Sequence, residues 1–255
     1  MSSRPLVTCN CAGRLANQFL QLANVVAYAN RFNMDYYVPE HSGGSDEFYF
    51  KHLGAPLKTR DVISRIRHTW AERTTPKSAL YTDIPRLENV CMEGFFQSYK
   101  YIDDQRQAVL DFFRIPYVKN EGVVSCHVRR GDYLQYAANF PPLPRTYYAQ
   151  CIKYFKDLGY KDYLIFSDDI AWCKQEFPQI DSEVNFKYSE GHTPLMDLEL
   201  MSNCEHQIIA NSSFSWVGAW LNQNPQKTVL CPPDNKMFVG ANEKMLPPEW
   251  IRINF

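Results

Sequence analysis

Two adjacent arginines stand in the string His127-Val-Arg129-Arg130-Gly-Asp132-Tyr133, directly after the apolar run Val-Val-Ser-Cys. A guanidinium stays charged at every working pH and forks onto two oxygens at once. A pair of them at a strand end can grip a diphosphate, and Asp132 can orient one of the two. The competing reading of the same string is a surface ion-pair cluster. Its Arg-Gly-Asp tripeptide suits an adhesion loop only when exposed on a secreted protein, and here it follows a run that reads as buried. A second cluster, Ser167-Asp168-Asp169, follows Asp-Tyr-Leu-Ile-Phe. Its acceptors suit ribose hydroxyls or base N–H groups, and an aspartate here can equally cap the helix that follows. The metal-binding carboxylates of many nucleotide-sugar enzymes are separated by one residue. These two are adjacent, so no metal is expected.

A third cluster, Asn211-Ser212-Ser213, follows Gln-Ile-Ile-Ala and opens a helix. Hydroxyls beside unpaired backbone N–H groups make an anion site there, or simply a cap. A fourth, Gly13-Arg14-Leu-Ala-Asn17-Gln18, sits where a strand turns into a helix. It is neither a dinucleotide fingerprint nor a P-loop. No nucleophile elbow, no His-Glu-x-x-His and no catalytic-cysteine signature occurs, which excludes the common hydrolase classes. The histidines other than His127 stand alone and read as structural.

The elements that must position these clusters alternate along the chain. Arg4 to Asn10 reads as a strand. A helix follows, with Leu15, Phe19, Leu22 and Val26 on one face. Met34 to Pro39 and Glu88 to Phe96 read as further strands, and Ile102 to Ile115 as a helix. The stretch from Ser42 to Arg86 is expected to hold short helices and loops. In the second half, apolar runs ending at Val128, Ser167, Tyr188, Asn211 and Pro232 alternate with helical segments. Strand–helix alternation with short connections argues for a parallel sheet covered by helices. In such sheets ligands bind beyond the carboxyl ends of the strands, where three of the clusters fall. A boundary is expected near Pro116 to Asn120. Two Rossmann-like halves facing across a cleft fit the length, and one doubly wound domain is the alternative.

Composition narrows the rest. The chain has 255 residues, 45% of them hydrophobic and 22% charged, which suits a globular core. A formal net charge of -1 gives no reason to expect a nucleic-acid partner. No apolar run approaches the ~20 residues of a membrane span, and no secretory signal is evident. The 8 cysteines are scattered and read as small buried hydrophobes in a reducing compartment, so a cytoplasmic protein is expected.

The strings GRLANQ, EGFFQSYKYI, HVRRGDY, FSDDIAW and DLELMSNCEHQIIANSSFSWVGAWLN occur in this order. Together they resemble the α-1,2-fucosyltransferases, glycosyltransferase family eleven, along nearly the whole chain. HVRRGDY is shared more widely, with α-1,6- and protein O-fucosyltransferases. The resemblance implies an α/β glycosyltransferase fold of the B type. Residues 1–116 would be the acceptor-side domain and 117–255 the donor-binding domain. It implies GDP-fucose as donor substrate, no cofactor, no metal, inversion at the anomeric carbon and a glycan acceptor, by default a galactoside.

By the same resemblance Arg129 contacts the β-phosphate, with Arg130 and Asp132 supporting the loop, and Asp132 is the one candidate base. His127 and Asp197 approach the guanine. Ser167, Asp168 and Asp169 line the nucleoside pocket, Ser212 and Ser213 face the phosphates, and Arg14 and Asn17 reach the fucose. Departures exist: Val217 stands where a second Trp is common, Ala16 where Gly is common, and Cys-Pro-Pro-Asp replaces a proline-then-tryptophan ending. The membrane anchor of the animal enzymes is absent from the sequence. The alternatives are a fucosyltransferase of another linkage, one acting on protein, and a non-catalytic nucleotide-sugar-binding protein.

Overall fold

In a computed structural model, Leu6–Cys9 forms β1, a wholly buried strand, and Leu15–Phe32 forms α1. The structure describes residues 4–40, 47, 49–50, 53, 59–72, 74–75, 78–79, 81–237 and 245–255. Residues 42 to 46 and others in the stretch to 86 lie outside them. The chain divides into two units, Met1–Ile115 with Asn242–Leu246, and Pro116–Ala241 with Pro247–Phe255.

In the first unit, α1 buries Phe19, Leu22 and Val26, as the spacing predicts. Phe19 stacks on Phe113 with ring centroids 4.1 Å apart. The helix ends where Asn33 turns left-handed (φ 52°) and its N–H reaches Ala29 O, a stop that asparagine tolerates. After β2 (Asp35–Tyr36) come α2 (Thr59–Arg65), β3 (His68–Ala71), the antiparallel pair β4 (Thr74–Thr75) and β5 (Ser78–Ala79), β6 (Val90–Glu93) and α3 (Arg106–Phe113). The main sheet has the order β2-β1-β6-β3, all parallel. Strand order therefore reverses between β1 and β6, and the loops after these two strands flank the reversal.

The second unit holds β7 (Asn120–Val128), α4 (Arg145–Asp157), β8 (Asp162–Ser167), α5 (Ile170–Ile180), β9 (Asn185–Tyr188), α6 (Pro194–Asn203), β10 (Cys204–Ile208), α7 (Ser213–Leu221), β11 (Val229–Cys231), α8 (Asp234–Met237) and β12 (Ile251–Arg252). Its sheet runs β12-β11-β10-β7-β8-β9, every pair parallel. This is the doubly wound order, with its switch point between β7 and β10. The last five residues of β7 are buried, as expected of a central parallel strand. Tyr147, Tyr148, Ile152 and Phe155 of α4 and Phe177 of α5 form one core cluster with Val124, Ile165 and Ile208 of the sheet. On the other pair of helices, a Cβ on Gly218 of α7 would lie 2.6 Å from Met201 Sδ of α6. A larger residue at 218 would have to displace the Met201 side chain, and α7 begins at the switch point.

Candidate functional site

The loop after β7 carries both arginines, and three carboxylates hold it. Arg129 Nη2 donates to Asp132 Oδ1 at 2.6 Å and Nη1 to Asp168 Oδ2 at 2.9 Å. The backbone N–H of Arg130 donates to Asp168 Oδ1 at 2.9 Å. Both oxygens of Asp168 thus serve the loop. A Cβ on Gly131 would sit 2.6 Å from Asp168 Oδ2, so the loop closes over that carboxylate only with glycine there. Arg130 Nε donates to Asp169 Oδ2 at 3.3 Å, and the guanidinium lies 4.1 Å from the centroid of the Trp172 ring. Cation–π contact and ion pair together fix the second arginine. Asp169 uses its other oxygen to cap α5, accepting from Trp172 N at 3.2 Å, and Ser167 Oγ accepts from Asp169 N at 2.9 Å. The two arginine side chains remain 18% and 19% exposed, sheltered yet open to an anion.

Across the switch point, Ser212 caps α7 by accepting from Phe214 N at 3.3 Å, and Ser213 is the first helical residue. The two loops are tied: Tyr133 Oη donates to Asn211 O at 3.0 Å, and Arg129 lies 5.1 Å from the Tyr133 ring. Asn211 Nδ2 donates to Pro141 O at 2.9 Å, while its buried Oδ1 has no protein partner. His127, the penultimate residue of β7, is also buried, with Nδ1 unpartnered. Its ring lies 5.4 Å from that of Phe214. Burial, and then the Arg129 cation, push its pKa down to about 3, so it is neutral at pH 7. An orphaned buried acceptor is costly, and two orphans flank one switch point.

Asp197 falls in the first turn of α6, after β9 on the same carboxyl rim. It is tied not to the arginine loop but to Ser189, whose Oγ donates to Oδ1 at 2.6 Å, and to His192, with Nδ1 at 3.4 Å. Within the first unit, Arg14 is the exposed N-cap residue of α1. Asn17 Oδ1 accepts from Gln97 Nε2 at 3.2 Å, and Gly13 (φ 76°) leaves room for the Asn17 side chain. The sequence assigns no role to Trp172, Tyr133 or Ser189, and His192 reads there as structural. Trp172 and Tyr133 lie within the strings given above, and an aromatic one helical turn past a capping aspartate is the sequence signal for Trp172. Among the described residues no group of three or more His, Cys, Asp or Glu is placed to hold a metal ion. No helix among them is long and apolar enough to cross a membrane.

The fold is that of a B-type glycosyltransferase, built of two Rossmann-like α/β units. It is similar to POFUT1 crystallised with GDP, with a TM-score of 0.52 at 11% identity over 91% of this chain and 99% of that one. It is also similar to the fucosyltransferase NodZ from Bradyrhizobium, with a TM-score of 0.50 at 13% identity over 86% of this chain and 93% of that one. The profile of glycosyl transferase family 11 matches residues 81–254, and the chain belongs to that family. The O-antigen biosynthesis glycosyltransferase WbnK of Escherichia coli is 35% identical over 184 residues, 64% of this chain and 60% of the relative. The alpha-1,2-colitosyltransferase of Escherichia coli is 32% identical over 63% of this chain and 61% of its own length. The match thus spans about three fifths of these two bacterial relatives. The rabbit (Oryctolagus cuniculus) galactoside alpha-(1,2)-fucosyltransferase 2 is 23% identical over 96% of this chain and 76% of its own.

Proposed function

We propose that the chain transfers L-fucose from GDP-β-L-fucose to the 2-OH of a galactoside, with inversion and without a metal ion. The observation that carries this reading is the arginine pair held at the switch point by Asp132, Asp168 and Asp169. Breaking the sugar–phosphate bond builds negative charge on GDP and positive charge on the fucose ring. Two of the five N–H groups of Arg129 go to carboxylates, and the rest can donate to the β-phosphate as charge develops. The N-terminus of α7, with Ser212 and Ser213, adds backbone N–H groups beside it. Asp132 acts through Arg129, as a positioning residue. A strongly dissociative transition state asks little of a base.

Ser167, Asp168 and Asp169 build the wall behind the nucleoside, and His127 and Asp197 face the base. Arg14 and Asn17 serve the fucose from the first unit. Eight free thiols suit a cytoplasmic setting. Family membership and the names of the galactoside-specific relatives support donor and acceptor. The 32% identity to a colitosyltransferase favours a second reading, transfer of colitose instead of fucose. The test incubates the protein with GDP-fucose and a β-galactoside and follows GDP release and the product by NMR. An α-1,2-fucosylated product is expected. Tight GDP-fucose binding with no turnover on any acceptor would make the chain a binder and overturn the reading.

A further inference from the structure

The string Glu93-Gly94-Phe95-Phe96-Gln97 enters the donor reading only through Gln97, which donates to Asn17, yet it is a tightly constrained loop of the first unit. It leaves β6 at the strand-order reversal, facing the loop after β1. Phe96 adopts a left-handed backbone (φ 50°), unfavourable for a bulky side chain, and Gly94 sits at φ 152°. A Cβ on Gly94 would meet Glu72 Cβ at 2.5 Å. Glu72 is buried, and its Oε2 accepts the backbone N–H groups of Phe95 and Phe96, each at 2.9 Å. Burial pushes its pKa up, against which the two N–H groups act.

Buried Gln21 of α1 ties the two loops together. Its Oε1 accepts from Ala12 N and its Nε2 donates to Gly94 O, each at 2.9 Å. The outcome of this tension is specific. Phe96 is buried against Trp70 and Tyr101, while Phe95 is turned outward, 41% exposed. Beside it Asn10 Nδ2 donates to Glu93 Oε1 at 2.7 Å, which fixes a carboxylate and an amide on the same rim. Single exposed aromatics are ordinary. Strain, a buried carboxylate and a buried amide all spent on presenting one are not, and such strain gathers at functional sites.

We infer that this rim of the first unit is a saccharide-binding site, with a pyranose lying on the Phe95 ring and its hydroxyls bonded by Glu93 and Asn10. A pyranose offers one face of C–H groups and an edge of hydroxyls. An aromatic face with its negative quadrupole suits the first, and a carboxylate–amide pair suits the second. That the saccharide is a β-galactoside rests on the reading above.

The test is saturation-transfer NMR of methyl β-galactoside on the full chain, with Phe95→Ala, Phe95→Tyr and Glu93→Gln, and a GDP titration on each. The wild type should bind the galactoside. Phe95→Ala should weaken it roughly tenfold or more, as truncation of an aromatic anchor does, and Phe95→Tyr should retain it. GDP affinity should stay within about twofold in all variants. Galactoside binding that is absent in the wild type, or equal in Phe95→Ala, overturns the inference. A wild type that binds the galactoside but not GDP leaves this site standing and overturns the donor reading instead.

Discussion

His127 makes the stability of the second unit depend on pH in a calculable way. Its folded pKa is lowered from 6.5 to about 3, by burial first and by the Arg129 cation second. Between these values the unfolded chain binds a proton that the folded chain refuses. The contribution of His127 is therefore complete above pH 6.5 and is lost progressively as the pH falls toward 3. Between pH 8 and pH 5 the loss amounts to about 2 kcal/mol. His206, whose pKa is also lowered by burial, adds to the same trend, so a variant must isolate the effect. His127→Asn keeps a small polar side chain and removes the titration. Urea unfolding at pH 8 and pH 5, followed by tryptophan fluorescence, reads chiefly the second unit, which holds Trp172, Trp216, Trp220 and Trp250. Wild type should lose about 2 kcal/mol more than His127→Asn over this interval. Equal losses would mean that His127 titrates normally and is neither as dry nor as close to Arg129 as described.

Gly131→Ala should push a Cβ into Asp168 Oδ2, at 2.6 Å, and loosen the arginine loop. Overpacking of this kind costs about 1–3 kcal/mol, so GDP affinity by calorimetry should fall by roughly tenfold, and an unchanged affinity would refute the clasp. Asp197→Ala should weaken GDP about tenfold or more while leaving ADP and UDP nearly unaffected. Equal small losses for all three would reduce Asp197 to a helix-stabilising residue. Turnover should survive excess EDTA, and abolition with rescue by Mn²⁺ would contradict the metal-free reading.

Much of the second unit was legible because its signals are local. The apolar runs ending at Val128 and Ser167 are neighbouring inner strands of the parallel sheet, with a polar cluster at or just past the end of each, and the run ending at Tyr188 is its edge strand. The capping roles of Asp169 and Ser212 follow from their place before a helix. What escaped is non-local or unpatterned. Strand β3 is largely exposed along its length, and so has no apolar signature. Strand β12 is two residues long. That both oxygens of Asp168 hold the arginine loop, through Arg129 and through the backbone of Arg130 38 residues back, is visible only in the fold. Gln21 and Glu72 could not be singled out, since their partners lie on loops that only the fold brings together. A buried glutamine or glutamate has no sequence pattern of its own.

The central claim is that Arg129, held by Asp132 and Asp168, stabilises the departing diphosphate. Replacing it removes an electrostatic donor aimed at developing charge, at a cost of roughly 3–4 kcal/mol in the transition state. The direct measurement is the turnover of GDP-fucose by wild type and Arg129→Ala, with a β-galactoside as acceptor and the fold of the variant checked by circular dichroism. Turnover should fall by two to three orders of magnitude, roughly, in a folded protein. Near-normal turnover in folded Arg129→Ala would contradict the account.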